Sequence, residues 1–117
     1  MVYDLTERTK QFGKEIIRLC KQLPKTSIIN PLVNQIIRSG TSVGANYAEA
    51  NGASSKKDFR NKIFICKKEC IETKYWIEML IEADTNNSNK IHLEELLKEA
   101  HELTLIFSKI AKNSGPN

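Results

Sequence analysis

The chain has 117 residues, 40% of them hydrophobic and 27% charged, with a formal net charge of +4. That balance belongs to a soluble globular protein with room for one core, and no run approaches the roughly 20 apolar residues that a membrane span needs. The N-terminus shows no basic region followed by an apolar one, so a single cytoplasmic domain over residues 1–117, with no signal peptide and no membrane partner, is expected.

In chain order, the first helix is expected over about 4–23. Asp4 stands three residues before Glu7, a capping pattern, and Leu5, Phe12, Ile16, Leu19 and Leu23 then recur at helical steps until Pro24. Its opposite face carries Arg8, Lys10, Lys14, Arg18, Lys21 and Lys25, against only Glu7 and Glu15. A second helix, about 31–51, should start at Asn30-Pro31, an N-cap side chain followed by proline where its missing N–H does no harm. It should end near Asn51-Gly52, glycine being favoured just past a helix. The third, about 56–83, opens on a Ser55/Asp58 capping box and carries the clearest period. Phe59, Ile63, Cys66, Cys70, Thr73, Ile77 and Leu80 alternate steps of four and three, an a/d seam over three heptads. Residues 84–89 read as a polar loop, and the fourth helix, about 90–112, puts Leu93, Ala100, Leu103, Phe107 and Ile110 on one stripe. Four helices with one apolar seam each and short connections predict an all-α fold, an antiparallel up-down-up-down four-helix bundle.

The segment Arg38–Glu49 departs from this regularity. Two glycines, two serines and a threonine make it a poor helix former alone, so another element must hold it helical. Its small residues suit close approach of helix 3 or of a neighbouring subunit. Arg38, Ser42, Asn46 and Glu49 fall on one face of it. That polar line reads either as a structural network, pairing Arg38 or Lys68 with Glu49, Glu69 or Glu72, or as a ligand or subunit contact.

Chemistry is harder to find. The two histidines, His92 and His101, both lie on helix 4, and position 98 is Lys98, so the Glu-x-x-His pairs of a di-metal bundle are missing. Glu49, Glu69 and Glu72 could cluster without a histidine, and no metal or other cofactor is expected. The glycines match no nucleotide-binding fingerprint, and no nucleophile has an evident base. Cys20, Cys66 and Cys70 are an odd number on apolar stripes, which suits core residues better than disulfides or a metal site. An enzyme is therefore not expected, and the catalytic list is empty. Residues 1–74 hold 14 Lys/Arg against 7 Asp/Glu, whereas residues 75–117 hold 4 against 7. The helix 1 cations and Lys56, Lys57 and Arg60 of helix 3 form either solvated faces or a surface for phosphate backbones. Tyr75 and Trp76 read as packing or a subunit interface before they read as base-stacking groups.

The run Arg38-Ser-Gly-Thr-Ser-Val-Gly-Ala-Asn-Tyr-Ala-Glu-Ala50, then Ser55 to Phe59, Lys67 to Glu69 and Glu72 to Trp76, resembles a bacterial four-helix-bundle family. That family is named after proteins encoded in intervening sequences of large-subunit ribosomal RNA genes. The resemblance implies assembly into a homopentameric ring. The chain is also similar to the accessory protein of diversity-generating retroelements, a basic pentamer that binds nucleic acid and a reverse transcriptase. The implied function is a homo-oligomeric RNA- or DNA-associated protein, or a scaffold that recruits a protein partner. The chain departs from the usual Ala-Glu-Gly ending with Ala50-Asn51-Gly52, which would lengthen helix 2.

Overall fold

The structure, a computed structural model, describes residues 4–114. Asp4 accepts a hydrogen bond from the Glu7 N–H at 3.2 Å and opens α1 (Leu5–Gln22). α2 (Ile29–Asn51) starts two residues ahead of the expected position. Thr26, rather than Asn30, closes its N-terminus: Thr26 Oγ1 accepts from the Ile29 N–H at 3.1 Å and the Thr26 carbonyl from the Asn30 N–H at 2.9 Å. Pro31 then sits inside the first turn, where a missing N–H loses no helical bond. Ser55 Oγ accepts from the Asp58 N–H at 3.0 Å to start α3 (Lys56–Ala83), as its capping pattern predicts.

Half of the polar stretch after α3, residues 87–89, belongs to the next helix. Asn86 caps α4 (Asn87–Asn113) by accepting from the Ser88 N–H at 3.0 Å and the Ser88 hydroxyl at 2.8 Å. Buried Asp84 accepts from Asn89 Nδ2 at 2.7 Å and the Asn86 N–H at 3.2 Å. These side-chain bonds fold the link down to Asp84–Asn86, because Asx side chains satisfy the backbone of a turn and a helix start equally well.

The four helices run alternately up and down. α1 packs on α2, α2 on α3, α3 on α4 and, least extensively, α1 on α4, whereas the diagonal helices meet only across the core, where Tyr47 of α2 tilts against Phe107 of α4 with ring centroids 5.8 Å apart. Ile63, Cys66, Cys70, Thr73, Ile77 and Leu80 of the α3 seam are fully buried, and so are Leu93, Ala100, Leu103 and Phe107 of α4. Ile16, Leu19, Ile36 and Val43 complete the core from α1 and α2. Among the described residues no helix is long and apolar enough to cross a membrane.

Candidate nucleic-acid interface and the polar strap on helix 2

Arg38 is the centre of the polar line. Its Nη1 lies 3.3 Å from Glu69 Oε2 and its Nη2 donates to Glu72, while Glu72 Oε2 also accepts from Trp76 Nε1 at 3.0 Å. Four side chains from α2 and α3 are thus tied through one guanidinium, whose fork serves two carboxylates at once. Glu69 is the buried member, its side chain 9% exposed, and its second oxygen, Oε1, has no hydrogen-bond partner. Tyr75 packs edge-on against Trp76 at 4.9 Å and leaves about half its surface in solvent.

The rest of the line splits. Ser42 donates to the Arg38 carbonyl at 2.6 Å and Asn46 to the Ser42 carbonyl at 2.8 Å, so both bond back into their own helix. Glu49 reaches α3 and accepts from Lys62 at 2.8 Å. Glu49, Glu69 and Glu72 therefore do not converge on one point. A buried pair invisible in the spacing lies beneath them: Thr73 donates to the Glu69 carbonyl at 2.7 Å and takes a hydrogen bond from Ser39 Oγ at 2.9 Å. Thr73 occupies a core seam position, so nothing in the period marks its hydroxyl as useful.

The two glycines of Arg38–Glu49 face α1, whereas Ser39 faces α3. A Cβ on Gly40 would stand 2.3 Å from Ile16 Cδ1, and one on Gly44 would stand 3.2 Å from the Thr9 carbonyl oxygen. The two glycines thus let α1 approach, a partner that the expectation of helix 3 or a neighbouring subunit did not include, while Ser39 of the same segment does meet helix 3. Outside this crossing runs a largely apolar groove lined by Thr9, Gly13, Ile17, Thr41, Gly44 and Ala48, with Lys10 and Lys14 on its α1 rim.

The basic residues do not form one surface, because α1 and α3 are diagonal. Lys10, Lys14 and Lys21 are exposed along α1 beside α2, and Arg18 is exposed with Glu15 at 2.6 Å. Arg8 turns the other way. Its Nε and Nη2 donate to both carboxylate oxygens of Glu99 at 2.7 and 2.6 Å, with Glu102 at 3.3 Å, so it clamps α1 to α4. Lys56, Lys57 and Arg60 lie instead at the end of the bundle where α4 finishes. Arg60 Nε lies 3.5 Å from the Ala111 carbonyl, its guanidinium stands 5.0 Å over the Phe64 ring, and Lys56 shares a cleft with Asn113 and Ser114. Lys109 and Lys112 of α4 join this end, and antiparallel pairing is what brings them there. A sequence scan confined to one helix misses them.

Catalytic geometry does not assemble around the histidines: His92 Nε2 lies 3.5 Å from Glu15, and His101 Nδ1 accepts from Lys74 Nζ at 3.1 Å. Burial pushes the Cys20 thiol up to about 11 and Cys66 up to about 12, and it raises Cys70 further still. Protonated thiols in an apolar core are poor nucleophiles and poor ligands. Among the described residues no three His, Cys, Asp or Glu side chains converge as a metal site would require.

Fold and strap together define a class: a small up-and-down helical bundle whose second and third helices are tied by an Arg–Glu–Glu–Trp cluster. Residues 3–109 match the family of 23S rRNA-intervening sequence proteins, and the chain belongs to that family. It is similar to a crystal structure of a protein of unknown function from the S23 ribosomal protein family of Bacteroides thetaiotaomicron VPI-5482. The two are 32% identical over 92% of this chain and 98% of that one, with a TM-score of 0.80. A comparison with curated proteins gives no match.

Proposed function

We propose that the protein is a non-enzymatic, homo-oligomeric nucleic-acid-associated protein that holds RNA or DNA by its phosphate backbone. The observation that carries this reading is the basic end of the bundle, where Lys56, Lys57, Arg60, Lys109 and Lys112 gather from α3 and α4. Between Lys56 and Lys68 the only acidic side chain is Asp58. Regularly spaced lysines meet phosphates without reading bases, and Phe64 under Arg60 offers one stacking plane. The family's name refers to ribosomal RNA, and the resemblance to the retroelement accessory protein points to the same class of ligand and to five copies.

The test is fluorescence anisotropy with unrelated RNA and DNA oligonucleotides between about 50 and 200 mM salt, where each phosphate contact steepens the slope of log K on log salt by about 0.7 to 0.9. Affinity should fall steeply with salt and differ little between sequences. Lys57→Glu with Lys112→Glu should abolish it. Binding unchanged by that double reversal would overturn the assignment, and retention of a defined protein without nucleic acid would favour a scaffold instead.

A further inference from the structure

The shoulder of α3 that faces α4 carries a line of cations. Arg60 Nε lies 3.5 Å from the Ala111 carbonyl of α4, and Lys74 Nζ lies 3.1 Å from His101 of α4. Lys67 stands seven residues from each, so the three share one side of the helix, about 21 Å from end to end at helical rise. Across the α2 side of the same helix, opposite charges cancel: Lys62 meets Glu49, and Glu69 and Glu72 meet Arg38. Among the described residues, none of Arg60, Lys67 and Lys74 pairs with a carboxylate. The α4 shoulder therefore keeps its positive charge until Glu78 and Glu94 line the groove beside Lys74.

Next to that line runs the crest of α3. Phe64, Ile71 and Tyr75 are exposed at 42%, 50% and 52%, and no described element of the chain covers them. Arg60 and Lys67 stand four residues before Phe64 and Ile71, neighbours on a helix, and the Arg60 guanidinium lies 5.0 Å over the Phe64 ring. Large apolar groups and unneutralised cations thus flank each other along one strip. A third set of groups lies on the α4 side of the groove. Thr104 and Ser108 fall between His101 and Ala111, level with the cation line, and both are half-buried. Each commits its proton within α4, Thr104 to the Ala100 carbonyl at 2.7 Å and Ser108 to the Thr104 carbonyl at 2.8 Å. What remains on each hydroxyl is an acceptor.

Together these features discriminate among anionic polymers. A run of cations suits any phosphate backbone, paired or not. Exposed rings beside it add nothing for a duplex, whose bases stack on one another, whereas an unpaired strand can lay its bases on them. Hydroxyls with no proton to give suit a 2′-hydroxyl, the donor that ribose adds to the backbone. We infer that the α3–α4 groove is the path of single-stranded RNA, with phosphates on Arg60, Lys67 and Lys74, bases on Phe64 and Tyr75, and ribose against Thr104 and Ser108. This rests on the nucleic-acid reading above and gives it a strand type and a course, from the basic end toward Lys74.

The test is fluorescence anisotropy of the full-length protein with a labelled RNA of roughly twelve nucleotides, its duplex, and single-stranded DNA of the same sequence. The RNA strand should bind at least tenfold more tightly than the duplex and about fivefold more tightly than the DNA. Phe64→Ala and Tyr75→Ala remove exposed rings, so helical circular dichroism should not change, and each should weaken RNA binding about fivefold or more. Tyr75→Phe keeps the ring and should keep the affinity. Lys67→Glu should weaken binding about tenfold, whereas Lys90→Glu, the same charge change in the first turn of α4, should not. A duplex held as tightly as the single strand would overturn the inference, and so would DNA held as tightly as RNA. Ring variants of unchanged RNA affinity would overturn it too, and a lowered light-scattering mass in them would assign the crest to a contact between copies. If no oligonucleotide binds, the nucleic-acid reading itself falls. If binding persists without strand preference, that reading stands and only this path is wrong.

Discussion

The Gly40–Ile16 contact is the sharpest test of the α1–α2 packing. Gly40 is buried in mid-helix, where alanine would ordinarily gain about 1 kcal/mol of helix propensity. Here the added methyl would lie 2.3 Å from Ile16 Cδ1, inside the distance at which anything must move, and Ile16 is fully buried. Overpacking of this kind costs roughly 1–3 kcal/mol, so Gly40→Ala should destabilise by about 1 kcal/mol net. Ile16→Val deletes the clashing carbon and alone should cost about 1 kcal/mol as a small cavity. In the double variant the new methyl fills part of that cavity, so the sum of the single effects should exceed the measured loss by about 1 kcal/mol. Urea unfolding at one protein concentration, followed by circular dichroism at 222 nm, gives all four corners of the cycle. A stabilised Gly40→Ala protein, or single effects that add within about 0.5 kcal/mol, would refute the claim that this glycine admits α1.

Other expectations follow from single side chains. Arg38→Ala removes the cation from buried Glu69 and should cost about 2 kcal/mol, less than for a dry pair because Arg38 is half exposed. Glu69→Gln in that background should recover part of the loss, and a further loss would show that the strap does not compensate Glu69. Because burial holds Cys66 up to about 12, the folded chain keeps a proton that the unfolded chain releases from about pH 8.5. Its contribution is complete below that pH and is lost as pH rises toward the folded value. Cys66→Ala should therefore flatten the alkaline fall in unfolding free energy by about 1.4 kcal/mol per pH unit between about pH 9 and 11. Leu103→Ala, at a fully buried position, should cost about 2–5 kcal/mol in the same assay, and a loss under about 1 kcal/mol would contradict its place in the core.

The fold was legible because each helix repeats one period. The α3 seam of Ile63, Cys66, Cys70, Thr73, Ile77 and Leu80 is buried as its spacing requires, and the caps at Asp4 and Ser55 act where their residue types predict. What the pattern could not supply was partnership between helices. Gly40 and Gly44 advertise a close approach, but nothing local says that the visitor is α1. Arg8 and Lys14 both stand outside the apolar stripe of α1, yet Arg8 lies toward α4, where Glu99 and Glu102 hold it, and Lys14 borders α2. Polar caps misled at both displaced boundaries, since Thr26 and Asn86 compete with nearby residues of the same turn-forming type and only the fold selects among them.

Charge along the bundle bears on the binding proposed above. Lysines and arginines dominate α3 from Lys56 to Lys68 and α4 at Lys109 and Lys112, whereas Glu78, Glu82, Asp84, Glu94 and Glu95 crowd the opposite end of the same two helices. Antiparallel packing thus gives the α3–α4 pair one basic end and one acidic end. In the homo-oligomer proposed above, basic ends gathered on one face would let a nucleic-acid strand meet several copies at once. Avidity then multiplies weak phosphate contacts without any new bond. The consequence is measurable: if several copies act together, long RNA should bind at least tenfold more tightly than an oligonucleotide that spans a single basic end, with a steeper salt slope. Equal affinity and equal slope for long RNA and the short oligonucleotide would mean that each basic end acts alone.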